Sequence, residues 1–531
     1  MIHSGGNPLN TRRCSIVLVF LAILLASSCA RNNSLDLNQL VADLLSSDTE
    51  EDLQTALQAL EESQADPLEV ARLLRSGPNE FPDSTPGWQV HEMQCQDGKT
   101  RNFHVFIPDS YDPSRPHPLL ISLHGSVMQA GYTIEQFLFR RVMWEEVAQR
   151  DGFIILMPHG DRDAPWWSEA SRQNTRDMLR WAKRACNIDE NRVFLAGFSD
   201  GAAGTYWMAF HDPTPWAGFI PIYGAVTSPE RGPYQCYPSN LNQRMVLASN
   251  GAAESYIRTA ASLINQLQAQ GISISWTLHP TEHNLVQAMA YERDRSSEFI
   301  AAATRDPHRS IIAWKTAHIE TGRCDWIEVT DIRVLDQPNR VADLNLSWES
   351  EAVQFGVGIE FRGADEGFVV SGVEPGTIAR ELGIKNGDKL VRIDQMPVRT
   401  QMEVSIAMEA KTMGDPIEVE VLRGEENLVF QGVLPEYPPA YRRDLPTAAV
   451  FAKADGNTVE IETQNVGQLK VYVSDSMFDL TQPIQVVCNG ETRFLNRIEP
   501  SLNTVLSQWI KDWDRATVFV AEIVIDLPDG G

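Results

Sequence analysis

Positive charge is in deficit in this 531-residue chain: 45 Lys and Arg stand against 71 Asp and Glu, for a formal net charge of −26. The carboxylates are spread along the sequence rather than gathered in a tail. Such a surface repels phosphate backbones and anionic lipid, so nucleic acid is not expected as a partner and solubility is favoured. Cysteine is scarce and scattered. Beyond residue 30 it stands only at Cys95, Cys186, Cys236, Cys324 and Cys488, with no C-x-x-C pair and no metal-ligand spacing. An oxidising compartment permits one or two disulfides among them, but the spacing names no pair, and buried free thiols are the alternative. Long apolar runs are missing too. The most apolar stretch, Ile16 to Ala26, is too short to span a bilayer comfortably.

That stretch follows Arg12-Arg13 and precedes Ser27-Ser28-Cys29-Ala30, the layout of an export signal over residues 1–30. Two kinds of processing stand open. Ser28-Cys29-Ala30 fits a small-x-small cleavage site ending at Ala30. Ala26-Ser27-Ser28-Cys29 instead resembles a bacterial lipobox, which implies acylation of Cys29, although Leu25 stands one position too early for that motif. Thr11-Arg12-Arg13 resembles a twin-arginine signal without the apolar residues that usually follow. The expectation is an exported protein, periplasmic or at the cell surface, with a lipid anchor at Cys29 left open.

The length calls for two to four domains, each with its own core. Residues 31–82 read as helical, with Leu40, Leu44, Leu53, Leu57 and Leu60 among acidic residues. They suit a spacer or docking segment. Residues 87–306 alternate strands with helices, the pattern of a mostly parallel sheet covered on both faces. Its strands are expected at Phe103–Ile107, Leu119–Leu123, Phe153–Met157, Val193–Ala196, Phe219–Tyr223, Met245–Ala248 and Ile272–Trp276. Residues 307–350 and 446–531 turn β-rich, with Asn489-Gly490 as a hairpin signal, and read as one domain interrupted by an insertion at 351–436.

Within the second block, Gly197-Phe198-Ser199-Asp200-Gly201 lies between an apolar strand-type run and the small, then apolar, helix-type run Ala202–Ala209. A G-x-S-x-G in that setting is a nucleophile elbow, where the flanking glycines let a strained serine turn pass between strand and helix. A nucleophilic serine needs an imidazole to take its proton and a carboxylate to orient the imidazole. On this fold they follow in the order Ser, acid, His. In the α/β-hydrolases that this elbow resembles, the loop after the next strand but one often reads Gly-x-x-Asp. The resemblance implies Glu254, in the loop Ser249-Asn250-Gly251-Ala252-Ala253-Glu254, as the acid, with capping of the next helix as its bland alternative. Of the downstream histidines His279, His283 and His308, His283 lies in a polar loop after the last strand and is taken as the base. An oxyanion hole needs two backbone donors. The amide of Asp200 is assigned to it, and the likeness of His124-Gly125-Ser126 to the His-Gly turn of α/β-hydrolases implies the Ser126 amide as the second donor, with Gly125 held open.

These motifs, with Met157-Pro158-His159-Gly160 and Trp166-Trp167, resemble the secreted α/β-hydrolase esterases of the feruloyl-esterase and polyhydroxybutyrate-depolymerase-like group, over about residues 94–299. The resemblance implies a serine esterase. Glu254 stands where that group often has Asp, and Ala202 where Gly often follows the elbow. Residues 353–435, with Phe355-Gly356-Val357-Gly358-Ile359, Val373-Glu374-Pro375-Gly376 and Leu382-Gly383-Ile384-Lys385-Asn386-Gly387-Asp388, resemble a PDZ domain of the kind found in bacterial periplasmic proteases. That resemblance implies that Gly356, Val357, Gly358 and Ile359 receive a peptide C-terminus added as a strand, with Val357, Ile359 and the helix around Val404 and Ala407 lining the side-chain pocket. The whole arrangement is similar to exported hydrolases of planctomycete-type bacteria.

The expected fold is thus an α/β-hydrolase sheet with helices on both faces, followed by a β-rich domain interrupted by a PDZ domain. The expected function is a serine hydrolase acting on a small-molecule or polymer-linked carboxylic ester, with no metal or organic cofactor implied. The alternatives are a peptidase of prolyl-oligopeptidase type and an inactive hydrolase fold that serves as a binding protein.

Overall fold

The computed structural model describes residues 37–47, 49–78, 80–81, 85–95, 97–129, 142–254, 257–334, 346, 355, 357–361, 368–373, 377–409, 411, 414–434 and 440–527. Residues 1–30, where an export signal and the acylation of Cys29 are expected, and Gly356 lie outside the described residues.

Eight strands build the largest sheet: β1 (Gly87–Gln94), β2 (Thr100–Ile107), β3 (His117–Leu123), β4 (Ile154–Pro158), β5 (Ile188–Phe198), β6 (Gly218–Ile222), β7 (Met245–Gly251) and β8 (Ile274–His279). Their order across the sheet is β1-β2-β4-β3-β5-β6-β7-β8. β1 and β2 pair antiparallel, β2 joins β4 antiparallel, and every later pairing is parallel. Parallel central strands bury both faces, so they read as continuous apolar runs rather than alternating ones. The two-residue period still divides them. Leu119, Ile121, Val193 and Leu195 face one apolar cluster, while Leu120, Ile155, Phe194 and Ala196 face another on the opposite side.

The β-rich region is assembled from both sides of the insertion. β9 (Ile311–Thr316), β10 (Arg323–Cys324) and β11 (Ile327–Ile332) come before it. Within the insertion lie β12 (Val357–Phe361), β13 (Phe368–Val373), β14 (Lys389–Ile393), β15 (Met396–Pro397), β16 (Pro416–Arg423) and β17 (Glu426–Val433). After it come β18 (Ala448–Asp455), β19 (Thr458–Gln464), β20 (Val466–Val473), β21 (Ile484–Cys488), β22 (Glu491–Asn496) and β23 (Ala521–Asp526). β9 pairs with β18 and β11 with β20, so strands more than 100 residues apart close one shared core. Asn489 and Gly490 take positive φ (53° and 83°) at the β21–β22 turn, as the hairpin signal anticipated. Leu346 departs from the β-rich reading of its segment: its apolar side chain packs into the hydrolase core beside Ala440 and Tyr441.

The insertion has its own core, and its strands run in the order β12-β13-β14-β16-β17, which leaves β12 at an edge. Val404 and Ala407, expected to line a peptide pocket, are buried in that core with Val357. Spacing explains it, because 404, 407 and 408 share one face of the helix Gln401–Glu409 while Met402 and Ile406 stand exposed on another.

The N-terminal helices are a docking segment. Val41, Leu44, Leu57, Leu60 and Leu74 share a core with Val505, Leu506, Trp509 and Trp513 around the helix Leu502–Asp512. That helix was absent from the sequence reading. Between the hydrolase sheet and the β-rich region runs a buried ionic seam. Asp514 accepts from Arg305 and from Lys183 (both 3.0 Å), and Arg323 pairs with Asp512 at 2.6 Å. The five described cysteines are all buried, and no disulfide joins any two of them.

Candidate active site

Ser199 follows the last residue of β5 and precedes the helix Asp200–His211, with φ 58° and ψ −116°. A non-glycine residue with such torsions is strained, and the surroundings must hold it there. Two glycines make the turn possible. A Cβ on Gly197 would lie 2.1 Å from the Gly201 carbonyl oxygen, and a Cβ on Gly201 would lie 2.1 Å from that of Leu123. Only a bare backbone allows the nucleophile helix to approach β3 and its own strand so closely.

β7 and β8 deliver the acid and the imidazole. The loop after β7 carries Glu254, which is 5% exposed. Its Oε2 accepts hydrogen bonds from the Gly251 amide (2.9 Å) and from Asn250 Nδ2 (3.0 Å), while Oε1 faces His283 Nδ1 in a short contact. These donors stabilise the charged carboxylate and aim it at the imidazole. The two loops are stitched together by Ala252 N–H to His279 O (2.8 Å) and Ala253 N–H to Thr281 O (3.1 Å). With Nδ1–H directed at Glu254, His283 Nε2 is left to accept from the Ser199 hydroxyl, 2.9 Å away. The structure thus brings together the three residues assigned from chain order.

The other histidines do different work. His279 ends β8, and its Nε2 lies 2.5 Å from Oε1 of fully buried Glu292, which also pairs with Arg295. His308 packs edge-on against Phe519, and burial lowers its pKa. His124 is structural, since its Nδ1 faces the Gly125 carbonyl (2.8 Å) and its Nε2 accepts from the Gly160 amide (3.0 Å).

Asp200 opens the nucleophile helix, where the first amides have no intrahelical acceptor. Ser126 lies in the turn after β3 with φ 59°, and its carbonyl accepts from the Gln129 amide (3.1 Å). Leu123 and Gly197 are register partners across β3 and β5, so the Ser126 turn and the elbow leave the same edge of the sheet. A cavity of about 580 Å³ opens over Ser199 and is lined by Asp200, Tyr223, Thr227, Glu230, Arg231 and His283, among others. Trp166 and Trp167 are buried rather than lining it, and the Trp166 indole donates to the His124 carbonyl (2.7 Å). The sequence reading missed the Thr227–Arg231 wall, and no motif in it marks that stretch.

The fold and the elbow are those of an α/β-hydrolase. Comparison with known proteins agrees in part of the chain. Residues 356–431 match the PDZ domain family, and the chain carries that domain. A bifunctional acetylxylan esterase/xylanase, XynS20E of Neocallimastix patriciarum, is 29% identical over 138 residues, which are 25% of this chain and 20% of that protein. Dipeptidyl-peptidase 5 of Porphyromonas gingivalis is 27% identical over 139 residues, 24% of this chain and 20% of its own. The chain therefore spans about a fifth of the length of these two relatives. A solved thermostable esterase aligns over 41% of this chain and 63% of its own at 18% identity, with a TM-score of 0.34, too low to carry weight.

Proposed function

We propose that this protein is an exported serine hydrolase that cleaves carboxylic esters. One observation carries the reading: the continuous hydrogen-bonded chain from Ser199 Oγ through His283 to Glu254 at the floor of an open cavity. His283 Nε2 takes the hydroxyl proton as Ser199 attacks the ester carbonyl, and Glu254 stabilises the imidazolium that forms. The carbonyl oxygen becomes an oxyanion held by the amides of Asp200 and Ser126. The imidazolium then protonates the departing alcohol, and water, deprotonated by His283, releases the acid and restores Ser199. Small acetyl esters of carbohydrate are the first substrates to assay, in keeping with the name of the fungal relative.

The test is labelling by a fluorophosphonate probe, comparing the native protein with Ser199→Ala and His283→Ala, followed by turnover of p-nitrophenyl acetate. Labelling and turnover are expected in the native protein alone. A folded native protein that takes up no probe would overturn the esterase reading. The similarity to a dipeptidyl-peptidase favours one second reading, an aminopeptidase using the same triad. Dipeptidyl p-nitroanilides assayed in parallel separate the two. The inactive-fold reading asks for a covered Ser199 or a displaced His283, and the open cavity and the 2.9 Å contact speak against it.

At the PDZ domain the proposed ligand is a peptide C-terminus laid along the edge strand β12, which carries Val357, Gly358 and Ile359. Binding of a labelled C-terminal peptide library, and its loss on amidation of the terminal carboxylate, tests that role. Export and the lipid anchor rest on the sequence of residues 1–30, and palmitate incorporation lost in Cys29→Ser tests the anchor.

A further inference from the structure

The segment that leaves the PDZ domain passes over the hydrolase before it reaches the β-rich sheet. Leu434 is buried in the PDZ core, and six residues later Ala440 is already in the hydrolase core, its amide donating to Leu346 O at 2.9 Å. From there residues 440–447 lie along residues 226–237. Tyr441 donates its hydroxyl to Val226 O (3.3 Å), and its ring meets Phe210 of the nucleophile helix edge-on. Arg442 donates from its backbone N–H (3.0 Å) and from Nε (2.9 Å) to Glu230 Oε2, and from Nη2 to Gly232 O (2.8 Å). The other Glu230 oxygen accepts from the Cys236 amide at 3.2 Å. Farther along, Arg443 donates to Cys236 O (2.9 Å), and the Leu445 amide donates to Gln235 Oε1 (2.7 Å).

Val226 and Gly232 bracket Thr227–Arg231, the stretch that walls the cavity over Ser199. The strap therefore holds both ends of the wall and, through Glu230, its middle. Arg231, the next residue, stands 3.7 Å from Asp200 with its guanidinium 5.3 Å from the centre of the Trp167 ring. Where Glu230 is held decides where the backbone of Arg231 stands relative to the nucleophile.

We propose that Arg442 is a positioning residue for the ester pocket: acting through Glu230, it sets the Thr227–Arg231 wall against which the substrate lies. The proposal rests on Ser199 being the nucleophile. It also means that part of the pocket comes from the chain beyond the PDZ domain rather than from the hydrolase segment. A wall contacts the bound ester in ground state and transition state alike, so its displacement is read in KM rather than in kcat.

The experiment measures kcat and KM of the full-length protein on p-nitrophenyl acetate and p-nitrophenyl octanoate, with the rate of fluorophosphonate labelling alongside. Arg442→Ala is expected to raise KM for the octanoate roughly tenfold, the scale of losing a charge-assisted contact, with labelling and kcat little changed. Arg442→Lys should restore part of the KM. Arg443→Ala, which loosens the same strap without touching Glu230, should leave KM at the native value. If Arg442→Ala does not fold, Glu230→Gln carries the same expected rise in KM. An unchanged KM in a folded Arg442→Ala or Glu230→Gln protein, or an equal rise in Arg443→Ala, overturns the proposal. Absence of labelling in the native protein sinks the nucleophile reading instead, so the two failures are distinguishable.

Discussion

Glu254 shows how a single carboxylate is specified by its neighbours. Two donors, the Gly251 amide and Asn250, occupy one oxygen and leave the other to His283. Glu254→Gln keeps the shape but can present an amide N–H to Nδ1, which favours the wrong imidazole tautomer. A fall in kcat on the order of 10³ to 10⁴ is expected for p-nitrophenyl acetate, with the melting temperature little changed. An undiminished kcat would place the acid elsewhere. Ser199, Glu254 and His283 were legible in the sequence because order along the chain and position after a strand constrain them. Asn250 as the orienting donor was not, since asparagine in a polar loop has many bland explanations.

The nucleophile helix Asp200–His211 is buried from Gly201 to its last residue, unlike the amphipathic helices that cover the rest of the sheet. At its last turn, His211 is enclosed by Trp207, Phe210 and Tyr234 and faces the carbonyls of Trp207 (2.8 Å) and Gln235 (3.2 Å). Burial pushes its pKa down to about 4 from the ordinary 6.5, against the pull of those carbonyls. As pH falls through 6.5 the unfolded chain binds this proton first. The stability that His211 contributes is therefore whole above pH 6.5 and is lost between there and pH 4, on the order of 3 kcal/mol at the limit. Melting temperature should drop across that window, and His211→Gln should flatten the drop; an unaltered slope in the variant would refute the assignment. Among elements, β2 to β8 of the hydrolase sheet were readable from their apolar runs, whereas β1 was not, because at the edge of the sheet its residues are only half-buried or exposed. The helix Leu502–Asp512 was overlooked although Leu502, Val505, Leu506 and Trp509 carry a helical spacing, because strands on both sides set the expectation for that stretch.

Across the whole molecule, the parts are held by charge buried at a seam as well as by apolar packing. Asp514 lies between Arg305 and Lys183, joining the last third of the chain to the hydrolase block. Burial alone would raise its carboxyl pKa, but the two cations hold it well below 3.8. Asp514→Ala leaves both cations buried without that partner, and a loss on the order of 3–5 kcal/mol is expected in urea denaturation. A loss under about 1 kcal/mol, the scale of a surface pair, would mean that water reaches the seam.

By itself, the sequence determined what is local. Glycines at 197 and 201 mark the only backbone that lets a strained serine pass between strand and helix, and apolar runs of strand length dictate a doubly covered sheet. The PDZ insertion announces itself by its own motifs. Tertiary structure decided what depends on residues far apart: which strands from either side of the insertion share a sheet, that the N-terminal helices dock on residues 502–513, and that Arg442 grips Glu230 across 212 residues of chain. Such contacts form because burial brings their surfaces together. A charge or a methyl group in the sequence carries no record of the partner it will meet across the fold.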